Sequence, residues 1–196
     1  MRKDKKILRA HVIPTSSKQH DWDLYFLRLA REVSKNSKCL SRYIGAVLVK
    51  EKSIISTGYN GPARGVKHCN ERPINWLIVL NGINGTIPKD KIYTTELAEQ
   101  CPRKYFGYKS GEGLHICQAG HAERNALIQA ARNGISTLDT SLYCSACQIC
   151  KDCAIEIVNA GVKELIFLEG SEYDGYSNTI LKESGIRVRR VKEEEL

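Results

Sequence analysis

No stretch of this chain is long or apolar enough to cross a membrane, although 42% of its 196 residues are hydrophobic. The basic start, Met1-Arg2-Lys3-Asp4-Lys5-Lys6, leads into no apolar segment of the kind a secretory leader needs, so export is not expected. Internal repeats and low-complexity tracts are absent, which argues against a solenoid or a tail-like region. A block of one charge is also missing. Thirty Lys and Arg against 22 Asp and Glu give a net charge of +8, yet basic residues gather only at Arg2–Lys6 and Arg187–Arg190. Aromatics interleaved with basic residues, the pattern of a single-strand-binding surface, are confined to Arg103-Lys104-Tyr105-Phe106-Gly107-Tyr108-Lys109. The charge suits a phosphorylated small molecule as well as a polynucleotide, and nucleic acid is not the expected partner.

The length fits one domain with a full hydrophobic core. Eight cysteines would suggest disulfides in a secreted chain. Without a leader, and with repeated C-x-x-C spacing, metal binding in a reducing cytoplasm is the better reading.

Residues 1–20 are polar and basic and are expected to form a flexible arm. Asp21 is the expected N-cap of a helix to about Lys35, with Trp22, Tyr25, Phe26, Leu29, Ala30 and Val33 recurring at helical spacing. Tyr43–Val49 and Ser53–Thr57 read as a strand pair, followed by the loop Gly58-Tyr59-Asn60-Gly61-Pro62. Residues 64–120 are irregular and Gly-rich, a length that a structureless loop rarely reaches without a function or a pin. Beyond them the pattern alternates: helix His121–Ala131, strand Thr140–Ser145, helix Cys150–Asn159, strand Val162–Leu168, helix Ser177–Glu183, strand Ile186–Val191. Single helices between strands imply parallel pairing, while the first hairpin is antiparallel. The expected fold is therefore α/β, a three-layer α-β-α sandwich on a five-stranded mixed sheet.

His121-Ala122-Glu123 and Cys150-Lys151-Asp152-Cys153 carry the chemistry. One His and two Cys can hold zinc at three corners and leave the fourth for water, whose pKa falls to about 7. Glu123, two residues past the His, is then free to move protons without binding metal. Both segments open helices, whose N-termini meet at the carboxyl ends of strands and favour thiolates. An H-x-E followed by C-x-x-C is the pattern of zinc nucleobase deaminases. The cysteines leave an ambiguity, because Cys144, Cys147, Cys150 and Cys153 form three overlapping C-x-x-C pairs. Cys150/Cys153 is favoured because an amphipathic helix follows directly.

Together with Gly45-Ala46-Val47, Gly58-Tyr59-Asn60-Gly61 and Asn125-Ala126, these motifs resemble the deoxycytidylate (dCMP) deaminase family over about residues 22–190. The resemblance implies the cytidine-deaminase fold, catalytic Zn2+ on His121, Cys150 and Cys153, and proton transfer by Glu123. It also implies nucleotide contacts from Asn60 and Tyr173, with backbone groups of Ala122 and Cys150 at the ring edge. Two departures stand out: Ile149 replaces the Pro before the first Cys, and one extra residue separates Tyr143 from Cys150. Some relatives carry a second, structural zinc near the places occupied here by Ser37-Lys38-Cys39 and His68-Cys69. The candidates for it are Cys39, His68, Cys69, Cys101 and Cys117, and spacing does not choose among them; a closed site there would pin the 64–120 insert. By the same resemblance the reaction is dCMP to dUMP and ammonia, a supply of thymidylate precursor. The protein would be a cytoplasmic homohexamer activated by dCTP and inhibited by dTTP, with Mg2+ accompanying these effectors. The rival readings are a deaminase of tRNA or single-stranded DNA, favoured only by charge, and a zinc-stabilised nucleic-acid-binding module, which would need no Glu123.

Overall fold

The first helix, α1 (Ser17–Ser34), starts well ahead of Asp21: its N-cap is Ser16, whose hydroxyl accepts from the Gln19 amide at 3.3 Å. A Ser cap satisfies the open amides of the first turn, and the polar residues behind it run along solvent until the apolar face begins. That face buries Phe26, Leu27 and Ala30. Tyr25, expected on it, is instead 49% exposed and rests its ring edge-on against Trp22. The computed structural model describes residues 16–73, 97–109, 111–170 and 175–196. The arm before residue 16 and Tyr173 lie outside these.

Five strands follow the alternation read from the sequence: β1 (Gly45–Lys50), β2 (Ser53–Tyr59), β3 (Ser141–Cys144), β4 (Glu164–Leu168) and β5 (Arg187–Val191). Their order in the sheet is β2-β1-β3-β4-β5. β1 is antiparallel to both β2 and β3, whereas β3, β4 and β5 run parallel. Parallel strands need crossovers, which α4 (Lys151–Asn159) and α5 (Gly175–Glu183) supply. Together with α3 (Ala122–Arg132), these helices cover one face of the sheet.

Period-two alternation divides the core into two layers. Ala46, Leu48, Leu142, Cys144, Leu165 and Phe167 pack beneath α3, α4 and α5. Their neighbours Val47, Val49, Tyr143, Ile166 and Leu168 pack beneath α1. The sheet is thus buried on both sides, the middle layer of an α-β-α sandwich. Two glycines set how closely the layers approach. A Cβ on Gly45 would stand 2.0 Å from the Ala30 carbonyl oxygen of α1, and one on Gly58 would stand 2.3 Å from the Ala126 nitrogen of α3.

The α1 layer also holds a polar knot. Arg189 of β5 donates to Asp23 of α1 through Nε at 2.6 Å and through its second nitrogen at 3.0 Å. The Tyr143 hydroxyl donates to the same carboxylate at 3.1 Å. Arg187–Arg190 is therefore no basic patch: strand alternation sends Arg189 inward to a buried partner. Among the described residues, the 64–120 insert contains the short helix α2 (Pro102–Tyr105) and single 3-10 turns at Cys69–Glu71 and Leu114–Ile116. No described helix is long and apolar enough to cross a membrane.

Candidate active site

His121 is the N-cap of α3 and Cys150 the N-cap of α4, both with extended backbone, so each projects its side chain from the open end of a helix. Cys153 lies in the first turn of α4. His121 Nδ1 stands 3.3 Å from Cys150 Sγ and 3.3 Å from Cys153 Sγ. All three potential ligand atoms lie within 4.8 Å of one another, and no other such grouping occurs among the described residues. Zinc–ligand lengths of about 2.0–2.3 Å in a tetrahedron require ligand separations of about 3.5 Å, so this donor set fits Zn2+. The hydrogen bond from Cys153, aided by His121 and opposed by burial, lowers the Cys150 thiol to about 4, so a thiolate stands there at neutral pH. The same bond, and then burial, push Cys153 upward.

Glu123, in the first turn of α3, is only 3% exposed. Burial raises its carboxyl above the ordinary range, with His121 pulling the other way. Its hydrogen-bond partner is Cys144 at the end of β3, a residue the sequence offered only as strand packing or as an alternative ligand. Cys144 is fully buried, and burial followed by the Glu123 charge keeps its thiol protonated. Cys147 is exposed and packs beside Gly170. Neither stands with His121 as Cys150 and Cys153 do. Ile149, at the place of the family's Pro, is buried in the core.

A cavity of about 260 Å³ opens over this centre. His121, Glu123 and Cys150 line it, together with Asn60, Arg42 and Lys104. Asn60 is 6% exposed and its carboxamide is engaged by backbone: Oδ1 accepts from the Ile44 amide at 2.8 Å, and Nδ2 donates to the Arg42 carbonyl at 2.9 Å. Ala122 is fully buried behind His121. Arg42 escaped the sequence reading because a single Arg before a strand carries no pattern. Arg103 lay within the aromatic–basic stretch; it holds the neighbouring loop, donating to the Glu112 carbonyl at 2.6 Å and the Lys109 carbonyl at 3.2 Å.

Three of the remaining cysteines, Cys39, Cys101 and Cys117, line the same cavity. Cys69 is close enough to feel all three: burial, then Cys117, Cys101 and Cys39, push its thiol up to about 11. The backbone amide of His68 donates to the Glu71 carboxylate at 2.6 Å, closing the 3-10 turn at Cys69–Glu71.

Residues 20–169 match the family model described as the cytidine and deoxycytidylate deaminase zinc-binding region. The deoxycytidylate deaminase of Schizosaccharomyces pombe is 29% identical over 94% of this chain and 48% of its own length, so the chain spans about half of that relative. The deoxycytidylate deaminase of Enterobacteria phage T2 is 36% identical over 84% of this chain and 89% of its own. Among solved structures, the dCMP deaminase of cyanophage S-TIM5 in complex with dCMP and dUMP superposes over 91% of this chain and 100% of its own. Its TM-score is 0.59 at 21% identity, a likeness of fold. With the family model covering four of the five strands and both helix termini that carry His121, Cys150 and Cys153, the chain belongs to the cytidine and deoxycytidylate deaminase family.

Proposed function

We propose that this protein hydrolyses dCMP to dUMP and ammonia, using Zn2+ held by His121, Cys150 and Cys153. The observation that carries the reading is a buried carboxylic acid, Glu123, beside a His/Cys/Cys donor set in a cavity also lined by basic residues. When bound, zinc supplies a water acidified to a pKa of about 7. The Glu123 carboxylate takes a proton from the water that adds to C4 of the cytosine ring and passes it to N3. It then takes the proton of the new C4 hydroxyl and delivers it to the amino group, so the C4–N bond breaks, ammonia leaves and the ring keeps a carbonyl oxygen. Burial suits this cycle, because a carboxyl raised by desolvation holds a transferred proton more readily than an exposed one. The backbone of Ala122 and Cys150 meets the ring edge, and Arg42 and Lys104 meet the phosphate. Asn60 and Tyr173 complete the nucleotide site in this reading.

A second, structural Zn2+ belongs to the same proposal, with Cys39, His68, Cys69, Cys101 and Cys117 as its candidate ligands. Cys39, Cys101 and Cys117 line one cavity, but their sulfurs and that of Cys69 do not stand within ligand distance of one another as the His121 group does, so metal content decides this part. As the family resemblance implies, the proposal extends to activation by dCTP and inhibition by dTTP with Mg2+, a homohexamer, a cytoplasmic location, and dUMP supply for thymidylate synthesis. The test is ammonia release from dCMP, deoxycytidine and a cytosine-containing oligonucleotide assayed side by side. Turnover of dCMP alone, or far above the others, is expected. Preference for the oligonucleotide would replace this reading with a polynucleotide deaminase.

A further inference from the structure

Asn125 lies one turn into α3, its amide bonded to the His121 carbonyl at 3.0 Å. Its Nδ2 donates to the Tyr59 carbonyl at 2.8 Å and to the Gly120 carbonyl at 3.4 Å. Beside it, Gly61 and Gly120 exchange backbone hydrogen bonds of 3.1 and 2.7 Å. The Tyr59-Asn60-Gly61 loop is thereby fastened to the helix that carries His121 and Glu123. The fastening is tight: a Cβ on Gly120 would stand 2.9 Å from Asn125 Oδ1.

The other side of the loop grips the segment before β1. Asn60 bonds to Ile44 through its amide at 3.1 Å and through Oδ1 at 2.8 Å, and to the Arg42 carbonyl through Nδ2 at 2.9 Å. The Ser37 hydroxyl donates to the Asn60 carbonyl at 2.8 Å. Arg42 lines the same cavity as His121 and Glu123. A continuous run of hydrogen bonds therefore leads from α3 through Asn125, Tyr59 and Asn60 to the backbone of Arg42.

We infer that Asn125 is a positioning residue which, through the Tyr59-Asn60-Gly61 loop, sets Arg42 at the anionic end of the substrate pocket. This rests on the nucleotide reading above. The reacting groups His121 and Glu123 are carried by α3 itself and keep their register without the Asn125 side chain. Arg42 lies outside α3, and its backbone is held by the loop through Asn60. Loss of the carboxamide donor thus weakens substrate binding and leaves the chemical step in place.

The experiment compares wild type, Asn125→Asp, Asn125→Ala, Arg42→Ala and the double variant Arg42→Ala/Asn125→Asp on dCMP, with zinc content measured for each. Asn125→Asp keeps the shape but turns a carboxylate oxygen toward two carbonyls. Removing one such hydrogen bond is expected to raise KM about 3- to 10-fold, with kcat within about twofold and zinc content unchanged. The double variant is expected to show a KM effect smaller than the product of the single effects, because both act on one contact. The inference is overturned by an unchanged KM, by a fall in kcat matching the rise in KM, by multiplicative effects in the double variant, or by failure of both Asn125 variants to fold. Absence of dCMP turnover by wild type overturns the functional reading beneath it and is told apart by that control.

Discussion

Arg189 of β5 and Asp23 of α1 meet at 2.6 Å inside the protein, with 9% and 1% of their side chains exposed. The pair ties the last strand to the first described helix, on the face of the sheet opposite the His121 centre. Removing one partner leaves a buried charge without compensation, which typically costs about 3–5 kcal/mol. Asp23→Ala is expected to lose that much stability in urea unfolding, while the folded protein keeps its zinc. A loss below about 1 kcal/mol would mean that water replaces the partner.

Glu164 joins the same knot, accepting from Ser141 at 2.8 Å and lying 3.4 Å from Arg189. Burial alone would raise its carboxyl; the Ser141 hydroxyl, Arg189 and Arg187 outweigh burial and hold it below the ordinary 4.5. A folded-state value below the unfolded one means that stability is fully present above about pH 4.5 and is lost as pH falls through the folded value. Glu164→Gln should remove that part of the acid dependence. Melting temperatures of wild type and variant between pH 3 and 6 check this: the gap between them should narrow toward low pH, and a constant gap would contradict it.

The overlapping cysteines are separated by metal content. Cys150→Ser and Cys153→Ser are expected to lose one zinc per chain, whereas Cys147→Ser keeps it. If Cys39, Cys69, Cys101 and Cys117 hold a second ion, wild type carries two zincs per chain, and Cys69→Ser loses one while the His121 centre stays loaded. A single zinc in a fully active protein would leave those four as ordinary thiols.

Much of this arrangement was legible because it is local. Alternating apolar residues marked the five strands, and His121, Glu123, Cys150 and Cys153 announce their chemistry by residue type and spacing. What escaped depends on distant parts of the chain meeting. Asp23 and Arg189 are 166 positions apart, and each alone reads as a solvated charge. Asn60 shows a loop motif in sequence, but only the fold reveals its carboxamide engaged by Arg42 and Ile44. Cys144 looks like packing until β3 brings it against Glu123. The helix begins ahead of Asp21 because Asp21 and Ser16 are equally good caps by type, and it is the Ser16 hydroxyl that takes the Gln19 amide.

The most direct measurement of the central claim is ammonia release from dCMP by wild type and Glu123→Ala, with zinc content and melting temperature determined on the same preparations. A group that moves protons without binding metal typically contributes about 10²–10⁴-fold to rate. The variant is expected to fold, to hold zinc as wild type does, and to lose turnover by at least that factor. Near-normal ammonia release by a zinc-loaded Glu123→Ala protein would contradict the assignment of this site.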